Sequence, residues 1–150
     1  MRAALEQAPQ PAAFVPRQWQ SRVLDLVSSP ADDRSIVWVY DPAGGNGKSR
    51  LGTHLCLAMS GIELSGTLND MKLAYSQYKS PIVIFDVSRA QADMSNHLYS
   101  MAECLKNGRF FSSKYQSRPV FFEPPHVIFF SNSMFESDKW TVDRVQLIRV

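Results

Sequence analysis

The sequence predicts an α/β fold built on a central, mainly parallel sheet. Three observations lead there. Three short runs, SIVWVY (35–40), PIVIFDV (81–87) and VIFF (127–130), are apolar throughout rather than alternating. Such runs suit strands covered on both faces, as in a parallel sheet. Segments with helical spacing of apolar residues lie between them. Finally, the glycine-rich stretch DPAGGNGKSR (41–50) sits directly behind the first apolar run and directly ahead of a helical stripe. At 150 residues the chain has the length of one domain.

The elements follow in order. The start, MRAALEQAPQPAAFVP, is rich in Ala, Pro and Gln, and residues 1–15 read as a linker or a truncated junction ahead of a domain over 16–150. Pro16-Arg17-Gln18-Trp19 opens a helix, because Pro suits a first helical turn. Trp19, Val23, Leu26 and Val27 share one face, and Ser28-Ser29-Pro30 ends it. The first strand, 35–40, is rich in β-branched and aromatic residues. Behind the glycine loop, Leu51, Leu55 and Met59 form a helical stripe with Gly61 as its stop. A short helix is expected over 69–78, a second strand over 81–87 and a helix over Met94–Lys106 closed by Asn107-Gly108. A hairpin over Phe110–Phe122 turns near Gln116-Ser117, and the third strand, 127–130, runs into Ser131-Asn132.

Composition limits the function classes. The chain is 45% hydrophobic and 20% charged, as folded water-soluble domains are. A net charge of +2 is too small to argue for nucleic acid by itself, so that case rests on local basic residues. Cys56 and Cys104 lack metal-ligand spacing and read as reduced core thiols of an intracellular protein. No apolar run approaches the ~18 residues that span a bilayer, and no secretory leader is visible. The abrupt stop after VQLIRV suggests a piece of a longer protein.

The glycine loop carries the chemistry. Backbone N–H groups converging on a phosphate chain bind it well, and glycine lets the backbone wrap closely around the anion. The helix behind adds free N–H groups and the positive end of its dipole. Strand, loop and helix together make the setting of a phosphate-binding P-loop. There Lys48 reaches the β- and γ-phosphates of a nucleoside triphosphate and Ser49 holds Mg²⁺. The position five before Gly47 is Pro42 rather than Gly, so Gly44 and Gly45 are expected to supply the flexibility. Asp86 ends the second strand, near the phosphate site, where an acid acts on Mg²⁺ or on attacking water. Asn132 ends the third; it either orients that water and touches the γ-phosphate, or caps the strand in a turn.

In order along the chain, RQWQSRVLDLV, RSIVWVYDPAGGNGKSRLGTHL, IVIFDVSRA, LKNGRFFSSKY, EPPHVIFFSN and TVDR resemble the helicase domain of the replication initiator (Rep) proteins of circular single-stranded DNA viruses. The nanovirus and alphasatellite type is the nearest match, and the stretches lie between residues 17 and 148. The resemblance implies an AAA+-like core of superfamily 3 and an ATP- and Mg²⁺-dependent helicase. It also implies single-stranded DNA as partner, a homo-oligomeric, hexameric ring, and an intracellular location, the host nucleus if the source is viral. It assigns Gly44, Gly45, Asn46, Gly47, Lys48 and Ser49 to the Walker A loop, Asp86 to the Walker B acid that with Ser49 holds the metal, and Asn132 to the γ-phosphate sensor of motif C. Lys114 matches the basic residue of motif B′ on a hairpin that contacts DNA. Arg144 matches an arginine finger directed at a neighbouring subunit's ATP.

Many superfamily 3 members carry two acids in a row at Walker B. Here the pair is Phe85-Asp86. The water-polarising group is then Asp86 alone or Asp86 with Glu103 from the next helix, where a solvated helix-face Glu is the plainer reading. Arg89 either pairs with Asp86 or reaches a neighbour. The upstream nicking domain of such initiators is not expected within these residues. A small P-loop kinase and a nucleotide-binding assembly module without turnover are the alternatives. No lid-like arginine cluster supports the kinase.

Overall fold

The computed structural model describes residues 13–89, 92–115 and 117–150. Strands β1 (Ile36–Tyr40), β2 (Ile62–Glu63), β3 (Ile82–Asp86), β6 (His126–Ser131) and β7 (Val145–Arg149) form a five-stranded sheet in the order β2-β3-β6-β1-β7. Every pairing in it is parallel. Strands β4 (Arg109–Ser112) and β5 (Arg118–Phe121) form a separate antiparallel hairpin. The helices are α1 (Gln18–Ser28), α2 (Lys48–Ala58), α3 (Leu68–Tyr78) and α4 (Ala92–Asn107).

Side chains alternate across a strand, so a strand apolar at every position must be covered on both sides. That is the arrangement found. Val37, Val39, Ile84, Ile128 and Phe130 pack on one face with Trp19, Val23, Leu51 and Leu55 of α1 and α2. Trp38, Val83, Phe85 and Phe129 pack on the other with Met71, Tyr75, Met101 and Leu105 of α3 and α4. The result is an α/β/α sandwich, the α/β fold with a parallel sheet that the sequence predicts and one consistent with a P-loop NTPase core. Trp38 stacks on Phe129 at 5.1 Å and meets Trp140 edge-on at 6.1 Å, so both indoles are packing residues.

Two strands lie outside the sequence expectation. VQLIR forms β7, which adds an edge beside β1 in the register Ile36↔Val145 to Tyr40↔Arg149. The two-residue β2 forms the opposite edge. The helix after the glycine loop ends at Ala58, and the chain turns at Ser60 with φ 60 rather than at Gly61. The linker reading for 1–15 falls mostly outside the described residues, as do Gln116 at the hairpin turn and the side chain of Arg89.

The topology places three segments side by side. β6 pairs with both β1 and β3, and all three run the same way. Their carboxyl ends therefore deliver Asp41, Asp86 and Asn132 to the same end of the sheet.

Candidate nucleotide site

The loop behind β1 turns back on itself through three positive φ angles, 73° at Gly44, 70° at Gly45 and 99° at Gly47. L-residues with a Cβ adopt this region at a cost. Gly47 is constrained twice, since a Cβ there would also meet Gln20 Nε2 at 2.7 Å. The flexibility assigned to Gly44 and Gly45 in place of a glycine at Pro42 is thus used. Gly47 caps the amino end of α2, whose first residues are Lys48 and Ser49.

One cleft of about 450 Å³ is lined by Gly44 to Arg50 together with Arg17, Asp86, Ser88 and Asn132. All sequence-predicted phosphate, metal and sensor residues meet there. A neighbouring cleft of about 460 Å³ shares Lys48, Ser49 and Asp86 and adds Glu63. The donor set fits a nucleoside triphosphate. Nothing lies within 4 Å of where a Cβ would stand on Gly44 or Gly45, so the backbone face there is open. The ammonium of Lys48 and the hydroxyl of Ser49 border the same space as the Asp86 carboxylate. An Asp and a Ser are hard oxygen ligands of the kind Mg²⁺ takes beside phosphate.

Asp41 organises this loop and was not singled out from sequence. Its carboxylate accepts from Gly44 N at 3.0 Å, Asn46 Nδ2 at 2.8 Å and Lys48 Nζ at 2.9 Å. Its own N–H donates to Ser131 O at 2.9 Å, which continues the β1–β6 pairing. The residue is fully buried. Burial alone would raise its pKa, but the hydrogen bonds from Lys48 and Asn46 outweigh it and hold the carboxyl below its ordinary range. D-P-A-G did carry a turn signal, since Asp directly ahead of Pro and Gly favours a side-chain-to-backbone turn. Its ion pair with Lys48 had no signal.

Lys48 also donates to Asn132 Oδ1 at 3.2 Å, so the loop lysine bridges the tips of β1 and β6. Asp86 Oδ1 accepts from Ser88 N at 3.1 Å and from the Ser88 hydroxyl. That turn fixes the carboxylate at the edge of the cleft.

Comparison with known proteins finds relatives over most of the chain. No family model matches the chain. It is 34% identical over 133 residues to Para-Rep C1 of the Faba bean necrotic yellows C1 alphasatellite, covering 88% of this chain and 47% of that protein. It is 36% identical over 137 residues to Para-Rep C6 of the Subterranean clover stunt C6 alphasatellite, with 89% and 47% covered. Para-Rep C2 of the Milk vetch dwarf C2 alphasatellite is 33% identical over 140 residues, with 91% and 48% covered. The chain is Rep-like, a homologue of the alphasatellite Para-Reps. It spans about half the length of the curated relatives it matches.

Lys114, Arg144 and Glu103 of the Rep-like chain lie away from the cleft. Lys114, in the turn between β4 and β5, pairs with Asp70 at the start of α3. Arg144 sits on a one-turn helix ahead of β7, where its guanidinium donates to Glu103 Oε1 at 2.9 Å and to Arg34 O at 3.2 Å. Asp143, its sequence neighbour, pairs instead with Arg34 at 2.5 Å. Glu103 also accepts from Trp140 Nε1 at 2.7 Å. It lines neither cleft, so it does not stand as a second carboxylate beside Asp86. Glu63, at the end of β2, lines the second cleft with Ser49 and Asp86 instead.

A cleft of about 510 Å³ opens at the opposite end of the strands, beside Asp32, Lys106 and His126. Lys106 and His126 there are already hydrogen-bonded. Lys106 Nζ donates to Asp32 O at 2.9 Å and Pro125 O at 2.7 Å, and His126 Nε2 lies 2.7 Å from Ser29 O. Among the described residues, no helix is long and apolar enough to cross a membrane.

Proposed function

We propose that the Rep-like chain is the ATP-hydrolysing helicase domain of a replication initiator, acting on DNA as a ring of copies of itself. One observation carries this reading. A single cleft gathers the glycine loop, Lys48, Ser49, Asp86 and Asn132 from three adjacent strand ends, in a chain homologous to Para-Reps.

Phosphoryl transfer depends on positioning and on neutralising charge. The amides of Gly44 to Ser49 and the ammonium of Lys48 hold the triphosphate. Ser49 and Asp86 would hold Mg²⁺, which when bound would supply charge neutralisation for the transfer. Asp86 accepts the proton of the attacking water, and the amide of Asn132 senses the terminal phosphate. Arg144 completes the charge balance of a neighbouring copy. Lys114 neutralises DNA phosphate from the hairpin.

An arginine delivered between subunits is worth about 10³–10⁵ in rate in comparable NTPases. Turnover per chain is therefore expected to rise with protein concentration and with single-stranded DNA. A dilute monomer that hydrolyses ATP as fast as the assembled protein contradicts the ring. DNA-independent transfer to a small acceptor would favour a kinase, and binding without turnover an assembly module.

A further inference from the structure

We propose that the first turn of α1 is part of the nucleotide site, with Arg17 as a ligand of the phosphate chain and Trp19 and Gln20 as positioning residues for the loop amides. The proposal rests on the P-loop reading above and adds a segment to it that lies well upstream of the loop.

The contacts are specific. The indole N–H of Trp19 donates to Asn46 O at 3.1 Å, and Gln20 Nε2 donates to Gly47 O at 2.9 Å. Gln20 Oε1 accepts from Arg17 N at 2.7 Å, which locks the amide's orientation. Trp19 and Gln20 are 7% and 2% exposed, so these bonds are shielded from water. A buried glutamine with both ends engaged is a directed contact rather than chance surface polarity.

Peptide planarity gives the contacts a consequence. In a trans peptide the carbonyl oxygen and the following N–H point to opposite sides. Pinning the carbonyls of Asn46 and Gly47 toward α1 turns the N–H groups of Gly47 and Lys48 away from it. The loop lines the phosphate cleft, whereas Trp19 and Gln20 do not. They stand behind the loop and aim its donors forward. The glycine at 47 fits the same account, because a Cβ there would strike Gln20 and break the clamp.

Arg17 completes the turn. It lines the cleft beside Gly44 to Arg50, and its Nε would stand 3.7 Å from a Cβ on Gly47. It is exposed and, among the described residues, forms no ion pair with an acid. Lys48 is already committed to Asp41 and Asn132. A planar guanidinium matches two phosphate oxygens at once, which an ammonium cannot. Arg17 therefore brings to the cleft, from outside the loop, a guanidinium that joins Lys48 and Arg50.

The test is calorimetric titration of the 150-residue chain with Mg-ATP and with Mg-ADP, alongside thermal unfolding. Arg17→Ala is expected to raise the Kd for ATP about tenfold, the scale of one charge-assisted contact. Arg17→Lys is expected to recover part of that loss. Trp19→Phe keeps the ring packing and removes the donor; it is expected to weaken ATP several-fold. Gln20→Leu is expected to act in the same direction. If Trp19→Phe or Gln20→Leu unfolds the chain, the exposed Arg17 decides. ATP binding that Lys48→Ala abolishes but Arg17→Ala leaves within about twofold of the unsubstituted chain overturns this proposal and leaves the P-loop reading intact. An unsubstituted chain that binds no ATP removes both.

Discussion

The ammonium of Lys48 lies 2.9 Å from a carboxylate of Asp41 that is 1% exposed. The lysine proposed to meet a triphosphate is thus held by an internal anion. Removing one partner of a buried pair leaves the other uncompensated, at a cost of about 3 kcal/mol. Lys48→Met is expected to lose about that much stability at neutral pH, measured by chemical denaturation. The pair's contribution also sets a pH window. Asp41 has its pKa below the ordinary 3.8, so its share is full above that value and is lost as pH falls through the folded-state value. The deficit of Lys48→Met is expected to shrink in acid, where Asp41 is neutral. An equal deficit at both pH values contradicts the pairing.

Lys106 titrates in the opposite direction. Burial, only partly offset by Asp32, pushes its pKa down from 10.5 to about 8. Between these values the unfolded chain keeps a proton that the folded one has released. Stability relative to Lys106→Met is therefore expected to rise across pH 8 to 10.5, by up to about 3 kcal/mol. Parallel curves for the two proteins would show that Lys106 remains charged.

Lys114 and Asp70 form an exposed ion pair, so the DNA contact proposed for Lys114 requires DNA to compete with Asp70. Lys114→Ala is expected to weaken single-stranded DNA binding and flatten its salt dependence while sparing basal ATP turnover. Asp70→Asn is expected to tighten DNA binding a few-fold. Fluorescence anisotropy with a labelled oligonucleotide reads both. Unchanged binding in either variant removes Lys114 as a DNA contact.

Arg144 is held by Glu103 and the Arg34 carbonyl, away from the cleft of its own chain. Arg144→Ala is expected to cut turnover of the assembled protein by about 10³ while leaving the Kd for ATP within about twofold. A turnover that survives the change makes Arg144 a structural partner of Glu103 alone.

How much of this was legible depended on how local each cause was. Strands β1, β3 and β6 announced themselves because a sheet covered on both faces needs unbroken apolar runs. The glycine loop showed equally well, since glycines, Lys48 and Ser49 follow a strand directly. Strand β7 did not, because VQLIR is only partly covered at the sheet edge and its partner β1 is distant in the chain. Strand β2 is two residues long and has no pattern to read. The burial of Asp41 and Lys106 was hidden for the same reason. Their partners come from turns and strands that only the fold brings close. Arg17 and Gln20 stood within a stretch carrying the Rep resemblance, yet only the fold brings them to the loop.

The central claim is that the loop from Asp41 to Ser49 grips a nucleoside triphosphate. Titrating the chain with Mg-ATP in a calorimeter tests it most directly. The account predicts about one ATP per chain and a loss of binding in Lys48→Ala with the fold retained. No binding by the unsubstituted chain, or equal binding by Lys48→Ala, would contradict it.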